Sequence, residues 1–536
     1  MSDVADRVPC VLFEDEHLLV VNKPPGWNTH APAPHAGEGI YDWLRHRELR
    51  WAGLAIIQRL DKETSGVLLF GKTPLANRAL TRQFAERAVR KRYQLVTDRP
   101  PPDLPAVQRS FISRAGDRYV ARPNGAESDA AETSFEARGR IDAGWLVEAQ
   151  PATGRTHQIR VHAAAAGFPI LGDPLYGGSP AARLHLHAAA LVIDHPATGD
   201  RLTFTAPVDW SAPPGETLRA AMIAPEVTDA FRWVHGAADG AGRCYVDRYG
   251  PCLLAQTETD PAPADLARLG DWKERTGARA VYVKRRDRFV RQSNPADAAP
   301  RLLQGEPAPT EFEIRENGVR YLVSFAEGYS TGLFLDQRDN RRRLLTGHVA
   351  AGFPLRGQPG AGGFEVLNLF AYTCGFSVCA ARSGALVTSV DLSRRYLEWG
   401  RRNFALNGLD PAAHAFLYGE AFDWLRRFAR KDRRFDAVLV DPPTFATSKT
   451  GGTFRAEADW TRLAAAAIAV LKPGGVLFAS TNAAKLEPER FVGQVLDAAR
   501  SAGRRAVQQH YVPQPPDFPI SRDEPGYLKT LWLRLA

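Results

Sequence analysis

The sequence predicts a multidomain chain of mixed α/β and α+β class, and three observations carry that expectation. Its 536 residues correspond to three or four domains at about 150 residues each. Short apolar runs of strand length fill the first block, whereas strand-like and helix-like runs alternate in the last one. Between them, Trp210-Ser-Ala-Pro-Pro-Gly-Glu216 should break regular structure, because prolines and glycine do not sit inside a helix or central strand. The expected divisions are residues 1–215, 223–320 and 321–536.

In the first block, Leu18–Val21, Gly66–Phe70 and Tyr93–Val96 have strand length and composition. Thr73–Ala88 carries Leu75, Ala79, Leu80, Phe84 and Ala88 at helical spacing. A mixed, mostly antiparallel sheet with helices packed on it follows. The middle block reads as a small α+β segment. In the third, Val366–Leu369, Ala385–Val390, Ala437–Val440 and Val476–Ala479 are short and apolar, as strands buried on both faces should be. Arg395–Leu406 and Ala456–Leu471 have helical spacing, Phe353–Gly363 is a loop by composition, and the alternation predicts a doubly wound parallel sheet.

Composition excludes several classes. Hydrophobic residues make 44% and charged residues 24%, which does not fit a disordered, collagen-like or coiled-coil chain. Lys and Arg number 69 against 60 Asp and Glu, a formal charge of +9. This is compatible with a nucleic-acid partner without requiring one. The five cysteines form no C-x-x-C, so neither a zinc module nor a disulfide scaffold is expected. The acidic start (Asp3, Asp6, Glu14, Asp15, Glu16) lacks the features of a signal peptide. The run Leu463–Leu471 is shorter than the ~20 residues that span a bilayer. A soluble, cytoplasmic protein with no membrane partner is expected. His157, His162, His185 and His187 raise a metal reading, but no carboxylate or Cys pattern accompanies them. Structural or nucleic-acid-contacting roles are expected instead, and no metal.

Arg59 and Asp61 lie between apolar Ile56-Ile57 and the strand at Val67. A carboxylate there needs a cationic partner, so the pair reads equally as a structural ion pair or as a functional one. The longer pattern is more specific. Arg59-Leu-Asp-Lys-Glu-Thr-Ser-Gly66 resembles the signature of the RluA-type pseudouridine synthases. Asn22-Lys-Pro-Pro-Gly26, Arg90-Lys-Arg-Tyr-Gln-Leu-Val96, and Gly154-Arg-Thr-His-Gln-Ile-Arg-Val-His162 with Pro169-Ile-Leu-Gly-Asp-Pro-Leu-Tyr176 resemble the family's other motifs, in order. The likeness spans roughly residues 10 to 210. It implies cofactor-free isomerisation of uridine to pseudouridine in RNA, with the base drawn out of its helix. Asp61 would be the nucleophile, and Arg160 the cation favouring its charged form. Tyr93 would stack on the base and assist removal of the C5 proton, and Arg59 would sit beside the displaced base. Gln58 stands where the family usually has His, which bears on substrate contacts rather than on the nucleophile. Many relatives carry an N-terminal RNA-binding module, and none is expected before Val8.

In the third block, Val366-Leu-Asn-Leu-Phe-Ala-Tyr-Thr-Cys-Gly-Phe-Ser377 sets a strand before a turn with Gly375 and then a helix. Backbone N–H groups there would face a ligand. Asp391 ends the next strand, where a carboxylate holds ribose hydroxyls. Tyr418-Gly-Glu420 follows another strand, and Asp441-Pro-Pro-Thr-Phe445 ends a fourth. The turn lacks G-x-G-x-x-G, which counts against NAD.

The set resembles the class I S-adenosylmethionine (SAM)-dependent RNA methyltransferases, with their Rossmann-like fold. Thr331-Gly-Leu-Phe-Leu-Asp-Gln-Arg338, Asn368-Leu-Phe-Ala-Tyr-Thr373, Ser393-Arg-Arg-Tyr-Leu-Glu-Trp399 and Asp441-Pro-Pro-Thr-Phe-Ala-Thr-Ser-Lys449 are similar to the large-subunit rRNA methyltransferases, especially those acting on guanine N7 of 23S rRNA. Arg232-Trp-Val-His-Gly-Ala-Ala-Asp239 and Val246-Asp-Arg-Tyr-Gly250 resemble the central domain of the related cytosine-C5 enzymes. The resemblance implies that Asn368 binds the cofactor, that Phe370 to Gly375, with Tyr372 and Thr373, wrap its methionine part, and that Asp391 binds the ribose and Glu420 the adenine edge. Asp336 and Arg338 would lie at the cofactor or target entrance. Asp441, also catalytic and cofactor-binding, with Pro442, Pro443 and Phe445 would face the target base.

Cytosine C5 is a poor nucleophile, and the usual route adds a cysteine to the ring first. Where the C5 relatives carry that cysteine, this chain reads Ser480-Thr-Asn-Ala483. Guanine N7 needs only positioning, so N7 is favoured over an exocyclic amine, and both over C5. The whole reads as a fused pseudouridine synthase and SAM-dependent methyltransferase acting on RNA, with 23S rRNA the expected partner. The alternative is one half serving only as an RNA-binding module. The tracts Arg45–Arg50, Arg87–Arg92, Lys284–Arg291, Arg338–Arg343 and Arg426–Arg434 are candidate phosphate contacts or solvated faces.

Overall fold

A computed structural model describes residues 8–101, 105–286, 299–326, 330–356, 363–448 and 452–536. Lys449 and part of the Lys284–Arg291 tract lie outside them, as does part of the Phe353–Gly363 loop. Among the described residues no helix is long and apolar enough to cross a membrane.

The first unit is an eleven-stranded sheet whose centre runs through Leu18–Lys23, Ser65–Gly71, Leu186–Asp194, Arg90–Thr97 and Gly144–Pro151. Its pairings are antiparallel except for a short parallel contact of Ser65 and Gly66 with His187 and Ala188. Gly66 makes that contact possible. Its φ is +115°, and a Cβ there would lie 2.3 Å from the Ala188 carbonyl oxygen. The helix expected at Thr73–Ala88 is Pro74–Ala85, with the Thr73 hydroxyl accepting the Ala76 N–H at its start. Helix Pro214–Met222 begins inside the stretch expected to break regular structure. Proline fits the first turn, where its missing N–H has no partner to lose.

Five strands follow (Ala230–His235, Tyr245–Tyr249, Cys252–Thr257, Ala280–Arg285, Arg301–Gly305), with helix Pro263–Thr276 crossing between the parallel pair. The hairpin of Phe312–Glu316 and Val319–Val323 spans the division expected at residues 320 and 321. Its Ile314 and Tyr321 enter a core shared with Tyr249, Phe376 and Trp532.

The last sheet has seven strands in the order Ala415–Tyr418, Leu386–Asp391, Glu365–Leu369, Phe435–Val440, Leu471–Thr481, Lys529–Leu535, Ala506–Pro513. The first five are parallel and the last two antiparallel to their neighbours. The order reverses between Glu365–Leu369 and Phe435–Val440, the switch point where doubly wound sheets bind ligands.

The two outer units meet where helix Ile40–Arg47 packs on helix Arg338–Thr346. The Arg338–Arg343 tract is therefore neither a solvated face nor a phosphate contact. All six residues are buried, and Arg338, Arg341 and Arg342 pair with Asp517, Glu316 and Glu48.

Candidate active sites

The first site is a concave pocket of about 110 Å³ at the centre of the large sheet, lined by Arg59, Asp61, Tyr93, His157 and Arg160 among others. Asp61 stands in a turn closed by the Thr64 N–H on its own carbonyl. Its neighbour Leu60 is buried and held by Thr29, which donates to the Leu60 carbonyl at 2.9 Å. Beneath the turn, buried Lys23 Nζ donates to the carbonyls of Pro24, Trp27 and Lys62, and burial drops its pKa to about 7. The sequence motif thus folds as a loop braced from below, with Asp61 facing the pocket.

Two side-chain nitrogens face Asp61 Oδ2: Arg160 Nη1 at 3.7 Å and His157 Nε2 at 3.8 Å. Arg160 is committed elsewhere, with bidentate bonds of 2.7 and 2.8 Å to buried Asp173. Burial opposes its charge, but Asp173 outweighs that and raises its pKa. His157 adopts a left-handed backbone, φ +56°, at the start of helix Gln158–Ala165. Its Nδ1 meets the Tyr176 hydroxyl at 2.8 Å, and burial lowers its pKa. Tyr93 is a neutral phenol, its pKa raised by burial and then by Asp61. Arg59 is exposed at the rim, and Gln58 donates weakly to the Val67 carbonyl at 3.4 Å. His157, Asp173 and Tyr176 lay inside the quoted motifs, but their partnership was not legible from spacing.

The histidines behave as interior groups. His162 bonds Thr133 and Ser110 through its two nitrogens, and His187 bonds Ser65 and the Ala206 carbonyl. Burial lowers the pKa of each to about 4. His185 and His187 share a face, as alternation requires, and both rings meet Trp210.

The second site lies at the carboxyl ends of the parallel strands. The turn after Glu365–Leu369 holds Phe370, Tyr372 and Cys374 at φ +57°, +49° and +64°, an unusual run of left-handed non-glycine residues. It ends at Gly375, which opens helix Gly375–Arg382. A Cβ on Gly375 would lie 2.9 Å from Leu333 Cδ1. Asn368 and Thr373 serve the scaffold, donating to Ser377 Oγ (2.9 Å) and to the Gly332 carbonyl (2.5 Å). Asp391 accepts the Tyr372 and Ser393 N–H groups, both at 2.8 Å, and burial raises its pKa. Glu420 caps helix Ala421–Arg430 by accepting the Asp423 N–H at 2.9 Å. Gly375, Asp391 and Glu420 therefore stand at the ends of three adjacent strands, an arrangement that suits a nucleoside ligand.

Asp441 ends the neighbouring strand. Burial pushes its carboxyl up to about 6, against hydrogen bonding from Ser480 and Gln337. Gln337 Nε2 is 3.2 Å from Asp441 Oδ2 and 2.7 Å from Ser480 Oγ. Pro442 is buried, while Pro443 and Phe445 are exposed. Asp336 accepts from the Tyr527 hydroxyl at 3.0 Å, beside this cluster. Arg338, expected at an entrance, is instead an interior strut with bidentate bonds to buried Asp517. Gln337 and Ser480 were in quoted segments without an assigned role. All five cysteines are buried, and burial raises the thiols of Cys374 and Cys379 to about 12.

Residues 238–534 match the family model described as S-adenosylmethionine-dependent methyltransferase, and residues 17–165 that described as RNA pseudouridylate synthase. A ribosomal RNA large subunit methyltransferase of Deinococcus radiodurans is 32% identical over 59% of this chain and 76% of its own length. Ribosomal large subunit pseudouridine synthase C of Yersinia pestis is 39% identical over 39% of this chain and 68% of its own. A solved candidate methyltransferase complexed with SAH aligns with a TM-score of 0.50 at 26% identity, over 64% of this chain and 87% of that one.

Proposed function

From a chain that belongs to the S-adenosylmethionine-dependent methyltransferases through residues 238–534 and to the RNA pseudouridine synthases through residues 17–165, we propose two specific reactions on 23S rRNA. One converts a uridine to pseudouridine at Asp61. The other methylates guanine N7 beside Asp441. The chain is a bifunctional RNA-modifying enzyme that uses SAM in its second half. The large-subunit names of the relatives in both halves support rRNA as the shared substrate.

In the first reaction the Asp61 carboxylate attacks the target nucleotide and the bond between C1′ and N1 breaks. The uracil turns, C5 bonds to C1′ as the bond to Asp61 breaks and frees the carboxylate, the C5 proton passes to solvent and N1 takes one up. Arg160, locked by Asp173, and His157 hold the carboxylate in place. Neutral Tyr93 supplies a stacking face rather than a base. Arg59 at the rim meets the displaced base or its phosphate.

In the second, SAM supplies an electrophilic methyl group. Asp391 and Glu420 hold its ribose and adenine, and the turn from Phe370 to Gly375 encloses its methionine part. Asp441 in its ionised form accepts N–H groups of the target base, and Pro442, Pro443 and Phe445 flank it. Against C5 stands the absence of a reachable thiol, with Ser480 beside Asp441 and every cysteine buried; N7 is preferred to an exocyclic amine because its lone pair needs only positioning. The reading is tested by methylating rRNA fragments with labelled SAM. A label released as 7-methylguanine supports it, and a label in 5-methylcytosine refutes it.

A further inference from the structure

The Leu335–Gln337 turn that brings Gln337 to Asp441 runs directly into helix Arg338–Thr346. That helix is gripped from two sides. On the methyltransferase side, Asn340 donates to Gln337 Oε1 at 2.8 Å and accepts from Trp532 Nε1 at 3.0 Å. Arg341 makes bidentate bonds of 2.6 and 2.7 Å to Glu316. On the opposite side stands the pseudouridine synthase unit. Trp43 Nε1 donates to Asp339 Oδ2 at 3.0 Å, Arg342 pairs with Glu48, and Arg343 lies 3.7 Å from Glu38. His348, just past the helix, contacts the Arg45 carbonyl at 3.0 Å. Buried charges hold their place only through such partners. The position of Gln337 is thus set partly from outside the fold that transfers the methyl group.

We propose that Trp43 of the pseudouridine synthase unit is a positioning residue for methyl transfer: through Asp339 it fixes the helix that aims Gln337 at Asp441. The inference rests on methyl transfer occurring at Asp441. It gives the fusion a physical consequence, since the second site depends on a surface of the first unit although the reactions share no intermediate. Gln337 and Ser480 hydrogen-bond Asp441, and Asp336 and Arg341 are the charged groups acting on it. A Gln337 that withdraws leaves the carboxyl easier to protonate.

The test uses the full chain with Trp43→Phe, which keeps a ring against Trp27 (5.5 Å in the native pair) but loses the N–H. Glu48→Gln removes the neighbouring ion pair and serves as the second variant. Both activities are measured on the same RNA, with pH profiles and melting temperatures. In both variants kcat for methylation is expected to fall about 5–10-fold, with KM for SAM within about twofold. The acidic limb of methylation is expected to move to higher pH by about 0.5. Pseudouridine formation stays within about twofold of native. Unchanged methylation in both variants overturns the proposal. So does an equal fall of both activities with a lower melting temperature, which is general loosening. Asp441→Ala is run alongside: full methylation by that variant refutes the site reading itself, and the Trp43 proposal with it.

Discussion

Arg160 lies 3.7 Å from Asp61, yet its two parallel hydrogen bonds go to Asp173. The cation beside the candidate nucleophile is therefore held by a second carboxylate that faces away from the pocket. Asp173→Asn removes the charge that holds it. Pseudouridine formation should fall about 10–100-fold through lost positioning. The unit should also lose about 3 kcal/mol, because a buried guanidinium is left without its ion pair. Single-turnover release of tritium from C5-labelled uridine, with melting curves, checks both, and methylation should be unchanged.

Asp441 should link pH to both stability and methylation. Its folded pKa is about 6 against an ordinary 3.8. Between those values the folded chain binds more protons than the unfolded one, so stability is fully present below pH 3.8 and is lost as pH rises through 6. The gap corresponds to about 3 kcal/mol. Asp441→Asn should accordingly melt higher than the native chain above pH 6, with the difference vanishing near pH 4. Native methylation should rise through about pH 6 as the carboxylate ionises. A variant that melts lower at pH 8 would contradict this.

Asp391 and Glu420 should separate in their effects. Asp391→Asn removes the charge expected to hold the ribose, and SAM affinity measured by calorimetry should fall about tenfold or more. Glu420→Ala should lower affinity and also cost about 1 kcal/mol through loss of the helix cap. Glu420→Ser, which restores a capping oxygen, should recover stability but not affinity. Equal SAM affinity in all three variants would place the cofactor elsewhere.

The cysteines decide between ring-carbon and nitrogen chemistry. If the proposed nitrogen chemistry holds, Cys374→Ser and Cys379→Ser should each leave methylation within about threefold of native. Abolished methylation, or an RNA adduct trapped on the native enzyme and missing from a variant, would point to C5.

Much of the architecture was legible because its strands announce themselves. Ala437–Val440 is a continuous apolar run and Val366–Leu369 is one broken only by Asn368, as sheets covered on both faces demand, and the structure extends them by two residues and one. The places of Asp391 and Asp441 at strand ends were legible because each ends or follows a strand-like run, whereas Asp61 stood out only through its motif. The seam was not. Arg-Asp-Asn-Arg-Arg-Arg from Arg338 to Arg343 reads as a solvated or phosphate-binding tract until its partners are known. Those partners, Asp517, Glu316 and, across the seam, Glu48, are distant in sequence, and no periodicity marks such pairings. The scaffolding roles of Asn368 and Thr373 were hidden for the same reason: a motif names the residues near a ligand but not which of them turn inward.

The most direct measurement is nucleotide-resolved mass spectrometry of large-subunit rRNA from cells carrying the native chain, Asp61→Ala or Asp441→Ala. The expected result is loss of a pseudouridine with Asp61→Ala alone and loss of a 7-methylguanosine with Asp441→Ala alone. Both marks intact in both strains would contradict two independent active sites acting on that RNA.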